Sequence, residues 1–445
     1  MINVSADLLL KDGIVVVQGK EVVRSVAIKT GKIEGIYETG REPSSEEIID
    51  CKGKYVLPGI IDIHVHLRDL EQFQKEDYAS GTRAAAAGGV TTVVDMPNSR
   101  PPTINRDVLD SKIESARLKR YVNIGFYTGL PEDLSAVTQI IGKDVLGIKV
   151  YPHSPLVEGI IYTDERIRDS IKLAKSLNLP LMFHPDATHP RTKVTSVSDF
   201  FEVHSCESEE VSLSRFINAH RQIGGRLHVC HVSCAGSVRR ITKNRAEDRL
   251  TAEVTPHHLF LSGDRLENTD GIAKMLPPLR SPYDNKMLWE ALLRCGIDIV
   301  ASDHAPHTAD EKKVPFLKSK SGIPGLETTL PLMLTEVFEG RISWVEYLRI
   351  CCSGPANILG LVGKGVLSEG YDADIAVVSK ESWNITGKNF HSKAKYTPFE
   401  GREVKARTEM TIVGGNVVYT DGKFTVGPGN IGTVPVRALM QPRNT

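Results

Sequence analysis

Residues 62–69 of the chain read DIHVHLRD, directly after the apolar run YVLPGII. Alternate side chains of a β-strand face the same way, so His64 and His66 share a face while Val65 and Leu67 turn to the other. Two neutral imidazoles on one face can clamp a cation; the plainer alternative is a pair of polar residues meeting solvent at a strand end. The same kinds of residue close other apolar runs: Lys149 in GIKVY, His184 in LMFH, His231 in HVCHVS and Asp303 in ASDH. Burying such groups without partners would cost several kcal/mol apiece, so a shared site accounts for them better than a core does. Four imidazoles and a carboxylate exceed what one catalytic zinc takes, since such a site keeps an open position beside three protein ligands. Two metals sharing a water fit better. A bridging group is then needed, and an ammonium beside two dications would be repelled. A lysine carboxylated by carbon dioxide would be anionic, bidentate and able to bridge. An ordinary ion pair at Lys149 is the other reading that the residues leave open.

The elements that must position these groups follow from the apolar pattern. VTTVVDM (90–96), VLGIKVY (145–151), LPLMFH (179–184), LHVCHVS (227–233), TAEVTPH (251–257) and IDIVASDH (297–304) read as strands apolar on both faces. Helical stretches such as SGTRAAAAGG (80–89) and ERIRDSIKLAKSLN (165–178) lie between them. Strands of this kind alternating with helices imply a parallel sheet. Over residues 58–365 the expected α/β architecture is a (β/α)8 barrel, in which strand ends converge on one mouth. An open doubly wound sheet is the alternative, and no G-x-G-x-x-G turn supports it. Short strands with turns fill residues 1–57, with Asp12-Gly13, Thr30-Gly31 and Gly53 supplying turn chemistry, and the texture returns in 364–379 and 410–424. A small β-sandwich built from both termini, 1–57 plus 366–445, is expected beside the barrel.

Lys plus Arg and Asp plus Glu each total 55, so the net charge is zero and nothing points to nucleic acid or an anionic membrane as a partner. The seven cysteines form an odd set without evenly spaced pairs, which predicts reduced thiols. Cys230 and Cys234 flank His231 but lack a second pair, so they read as small buried side chains rather than a zinc knuckle. The opening MINVSADLLLKDG lacks the basic head and long apolar stretch of a signal peptide, and no run reaches the roughly 18–20 residues of a membrane span. The expectation is a soluble cytoplasmic protein.

The motifs GIIDIHVHLRD, AAAAGGVTTVVDMPNSRPPT, GIKVY, MFHPD, CHVS, PPLR, ASDHAPH and GIPGLETTLPLML, taken in order, resemble the amidohydrolase superfamily. Within it they look most like the dihydroorotases that carry a carboxylated lysine. The resemblance spans nearly the whole chain. It implies a zinc-dependent, reversible cyclisation of N-carbamoyl-L-aspartate to L-dihydroorotate in pyrimidine biosynthesis. It also implies roles. His64, His66 and Asp303 would hold one zinc and His184 with His231 a second, bridged by carboxylated Lys149 and a hydroxide. Asp303 would move the proton, and Arg68, Asn98 and His307 would bind the substrate carboxylate. Relatives that open hydantoins or allantoin tend to carry an acidic residue where Arg68 stands. For Arg68 the plainer alternative is an ion pair with Asp62 or Asp69, and for Asn98 it is turn capping.

The chain departs from the pattern in places. Leu276 precedes PPLR where an asparagine is usual, so one substrate hydrogen bond is missing or moves to backbone groups. DLEQFQKED follows Arg68 where Glu-Pro-Gly is commoner, and MPNSRPPT also suits an allantoinase. Residues 152–165 and 308–322 have the length and place of lids, and His257 and His258 read as supporting residues. The leading alternative is another cyclic amidohydrolase, an allantoinase or hydantoinase. A catalytically dead scaffold is disfavoured because every expected ligand is present. A homodimer or docking to another pyrimidine enzyme is compatible with the chain.

Overall fold

The computed structural model describes residues 6–187, 194–245, 249–264, 271–429, 431–435 and 437. Strands β1 (Ala6–Val17), β2 (Lys20–Lys29), β3 (Lys32–Tyr37), β4 (Ser45–Asp50) and β5 (Tyr55–Pro58) open it. The next eight run parallel: β6 (Ile60–Val65), β7 (Val90–Asp95), β8 (Asn123–Thr128), β9 (Val145–Val150), β10 (Pro180–Phe183), β11 (Arg226–Val229), β12 (Leu250–Val254) and β13 (Ile299–Val300). They pair in chain order, and the seam between first and last is joined where Val65 bridges His304 and the His66 amide donates to the His304 carbonyl at 2.7 Å. This is the expected barrel. The run NIGFYT of β8, with a glycine at its centre, was not among the strands read from the sequence.

Strands β14 (Ile375–Asn384), β15 (Glu403–Val413), β16 (Asn416–Thr420) and β17 (Lys423–Phe424) complete a second, mixed sheet of nine strands with β1–β5. The two ends of the chain meet where β5 pairs antiparallel with β14, Val56 opposite Val377. Leu8, Val26 and Val56 from one end pack there with Ile375 and Ile412 from the other. Thr30-Gly31 makes the β2–β3 turn, both residues having positive φ (48° and 77°), as a two-residue hairpin with right-handed strand twist requires. Asp12-Gly13 does not turn the chain. It lies within β1 at a shift in register against β2, a bulge that absorbs the positive φ of Asp12.

Ile61 and Ile63 pack inside the barrel with Val94, Leu146 and Met182, whereas Val65 and Leu67 face the helices. The change of side falls where the pairing of β6 with β7 shifts register between Asp62 and Val65. The helix Tyr78–Ala87 is capped by Asp77 and Ser80 and ends at Gly88. A Cβ on Gly88 would stand 2.2 Å from the main-chain oxygen of Leu326. Gly88→Ala is therefore expected to destabilise the fold by about 1–3 kcal/mol, the usual range for overpacking, read as a fall in the denaturant midpoint. An unchanged midpoint would show that this approach is not tight.

One expectation is corrected. Cys206 and Cys234 are joined in a disulfide, while Cys51, Cys230, Cys295, Cys351 and Cys352 are free. Packing of the helix Cys206–Ile223 against the helix Ala235–Lys243 brings the two Cα atoms to 5.7 Å, a contact that a separation of 28 residues does not announce. Among the described residues no helix is long and apolar enough to cross a membrane.

Candidate active site and metal centre

The carboxyl ends of the barrel strands converge on a cavity of about 410 Å3 whose lining includes His64, His66, Arg68, Asn98, His184, His231 and Asp303. Lys149, next to last in β9, is fully buried. Three of these residues, Arg68 (φ 60°), His231 (φ 33°) and Asp303 (φ 47°), hold left-handed backbone conformations. Side chains with a Cβ seldom adopt these without compensation. Each stands just past a strand end, where the chain turns sharply and leaves its side chain in the mouth.

The expected ligands come together in two groups. Asp303 Oδ1 lies 3.0 Å from His66 Nε2 and 3.3 Å from His64 Nε2. His184 Nδ1 and His231 Nε2 lie 2.8 Å apart. Burial holds the imidazoles of His184 and His231 well below their ordinary pKa, and that of His66 down at about 4, so all three are neutral, the form that binds metal. Burial opposes ionisation of Asp303, but His64 and His66 outweigh it and hold the carboxyl at about 2. The donor set of imidazole nitrogen and carboxylate oxygen suits zinc. Among the described residues, ligand atoms also gather within 4.8 Å in His64, Cys230 and Glu253, and in His153, His184 and Asp186.

Lys149 Nζ lies 2.8 Å from Cys230 Sγ and 5.1 Å from the centre of the Tyr151 ring. Its nitrogen has no carboxylate partner among the described residues, so the ion-pair reading of Lys149 finds no support here.

Glu253, which the sequence reading did not single out, is the buried anchor of the group. Its carboxylate accepts from His64 Nδ1, from His228 Nε2 at 3.1 Å and from the His231 amide at 3.1 Å. Burial disfavours charge on His64, yet Glu253 overrides it and pushes that imidazole up to about 10. Carboxylates behind ligand histidines fix ring orientation. Tyr151 and His153 were also missed; both line the cavity, and the Tyr151 hydroxyl and His153 Nδ1 are shut from solvent without a hydrogen-bond partner. Alternation from Lys149 at one, three and five in KVYPH was the available signal.

Arg68 pairs with neither Asp62 nor Asp69. Asp62 accepts from the His64 and Ser302 amides, and Asp69 holds Lys119 at 3.0 Å. Arg68 Nε donates weakly to the Pro306 carbonyl at 3.4 Å, leaving its outer fork in the cavity. Asn98 Oδ1 accepts from His66 Nδ1 at 2.6 Å, so Asn98 orients His66, an expected ligand, while lining the cavity. Asn98→Ala is expected to weaken metal binding roughly 10–100-fold, as loss of such outer partners does. Competition with a chromophoric chelator measures this; unchanged affinity would confine Asn98 to the ligand side. His307 is not among the cavity-lining residues: its Nε2 donates to the Ser321 carbonyl at 3.0 Å, and Nδ1 faces Lys75 at 3.1 Å. His258 is held by Thr255 and the Pro277 carbonyl, a structural role. Ser154, Pro155 and Leu156 from one proposed lid, and Ser321 and Gly322 from the other, flank the opening with Leu276.

Comparison with known proteins agrees with this architecture. The family model described as "Amidohydrolase family" matches residues 55–418. A protein of Methanosphaera stadtmanae named dihydroorotase is 34% identical over 412 residues, covering 89% of this chain and 93% of its own. One of Macrococcus caseolyticus with the same name is 36% identical over 436 residues, 93% of this chain and 99% of its own. Among solved structures, the L-hydantoinase (dihydropyrimidinase) of Arthrobacter aurescens superposes with a TM-score of 0.91 at 27% identity, covering 97% of this chain and all of that one. The chain belongs to the amidohydrolase family and, by its near-full-length identity to their sequences, to the dihydroorotases within it.

Proposed function

We propose that the protein catalyses the reversible ring closure of N-carbamoyl-L-aspartate to L-dihydroorotate, the cyclic-amide step of pyrimidine synthesis. The observation that carries the substrate is Arg68: a buried guanidinium in the cavity wall with no carboxylate paired to it among the described residues. Such a group suits a substrate carboxylate, which it can grip bidentately.

His64, His66 and Asp303 would hold one zinc ion and His184 with His231 a second, with Lys149 as a carbamate between them. Support comes from the convergence of their ring nitrogens and from the fully buried Lys149, whose nitrogen meets Cys230 Sγ but no carboxylate among the described residues. Bound there, two zinc ions would polarise the scissile carbonyl and lower the pKa of a shared water. The chain's own part is then geometric and protonic. Arg68 fixes the ring by its carboxylate, and Glu253 and Asn98 hold His64 and His66 in their rotamers. In ring opening, Asp303 Oδ1 takes a proton from the attacking water and delivers it to the ring nitrogen as the amide C–N bond breaks. Ring closure reverses each transfer.

A second reading, a hydantoinase-like activity on an uncharged ring, is favoured by the L-hydantoinase likeness and by Leu276, which places an apolar side chain in the cavity. Ring opening of dihydroorotate, allantoin and a hydantoin, assayed in parallel on zinc-loaded protein, separates the two. Turnover of dihydroorotate alone is expected. Turnover of another ring in its place would overturn the role given to Arg68, and no turnover with metal bound would leave an inactive homologue.

We treat 1–57 with 366–445 as a unit beside a catalytic 58–365, supported by the pairing of β5 with β14. We place the protein in the cytoplasm on its five free thiols; the Cys206–Cys234 bond argues the other way, and thiol titration of protein purified under non-reducing conditions decides between them.

A further inference from the structure

The parallel strands that carry the metal-site residues at their carboxyl ends begin, at the far end of the barrel, around a second cavity of about 350 Å3. Pro180 opens β10, Arg226 opens β11, Arg249 and Thr251 stand at the start of β12, and Asp298 precedes β13. Four guanidinium groups line it, those of Arg226, Arg245, Arg249 and Arg349, against the single carboxylate of Asp298 among the lining residues.

Among the described residues these charges are only partly compensated. Arg245 pairs with Asp298, yet its Nη1 is shut from solvent with no hydrogen-bond partner. Arg349 donates to the main-chain carbonyls of Asp298 and Leu292, both at 2.9 Å, and Arg226 to that of Ile358. Neither these two nor Arg249 makes an ion pair among the described residues. Burial first, and the nearby charge of Arg437 second, press the Arg226 guanidinium below its ordinary pKa. Residues 246–248 lie outside the described residues.

Guanidinium groups that outnumber the carboxylates in a half-enclosed cavity repel one another, a cost that an anion relieves. The guanidinium fork matches phosphate oxygens bidentately. The volume stands near the lower end of the roughly 300–1,000 Å3 of small-molecule sites, room for more than a lone phosphate. Besides the charged groups, the lining residues are the apolar Pro180, Leu227 and Ile358, the polar Thr251 and Asn357, and Gly354, with no aromatic ring for a base to stack on. We propose that this cavity binds the phosphate group of a small sugar-phosphate-like metabolite, at a site separate from the catalytic mouth.

Titration calorimetry on the full-length, metal-loaded protein at fixed ionic strength tests this, with ribose 5-phosphate and inorganic phosphate as separate probes. One saturable site for ribose 5-phosphate is expected. Arg249→Glu should weaken it at least tenfold; Arg249 is exposed and makes no side-chain hydrogen bond among the described residues, so the fold does not depend on it. Arg68→Met should bind as the unaltered protein does. Absence of saturable binding would overturn the proposal. So would binding that survives Arg249→Glu and is lost in Arg68→Met, because the ligand would then sit in the catalytic mouth. Inorganic phosphate binding as tightly as ribose 5-phosphate would overturn the organic part of the assignment.

Discussion

Arg68→Met is expected to lower kcat/KM for dihydroorotate by roughly two to three orders of magnitude and to leave metal content unchanged. The size follows from removing one partner of a buried charge pair, which costs about 2–5 kcal/mol. The variant is a fair test because methionine keeps much of the side-chain length and bears the same left-handed backbone at φ 60° that arginine bears. What it removes is the charged fork, whose only hydrogen bond among the described residues is the long one from Nε to Pro306. Arg68→Lys should recover only part of the loss, since an ammonium keeps the charge without the planar fork. Metal lost together with activity would make Arg68 structural. Full activity in Arg68→Met would end the carboxylate assignment.

Lys149→Met should have the second large effect, and of a different kind. Methionine matches the buried volume and brings no unpaired polar atom, so the barrel should still fold. Removal of the proposed bridging ligand should lower metal occupancy and reduce turnover by more than the roughly 10–100-fold typical of outer-shell partners. Acetate or propionate, able to enter the vacated space as a free carboxylate, should restore part of both. A lysine that merely packed against Cys230 and Tyr151 would not be replaced by a carboxylic acid. Metal occupancy and rate both unchanged in Lys149→Met would rule out the carbamate.

Much of the site was legible because its signals are local. Each candidate ligand stands at or near the end of an apolar run, and a short apolar run bounded by turn signals is consistent with a buried strand before its partner strands are known. His64 and His66 fall on one face by alternation alone, and KVYPH carried the same signal for Tyr151 and His153, unread because neither residue type is by itself a ligand pattern. Turn chemistry was half legible: Thr30-Gly31 turns the chain, while Asp12-Gly13, with the same preference for positive φ, is spent on a bulge. The dipeptide specifies a backbone conformation and leaves open which structure uses it.

The amino-acid order by itself determined the barrel's alternation of strand and helix, the set of candidate metal ligands and the family. Only the tertiary structure decided which groups meet. Glu253 reaches His64 across 189 residues, Cys206 meets Cys234, Asn98 turns to His66, and His307 faces Ser321 and Lys75 instead of the cavity. The arginines at the barrel's far end are likewise gathered from residues 226 to 349. Periodicity is a property of a few neighbouring residues, set by backbone geometry. Contacts of this second kind exist only once the sheet has closed on itself and its register is chosen, and that choice is made by the packing of the whole chain.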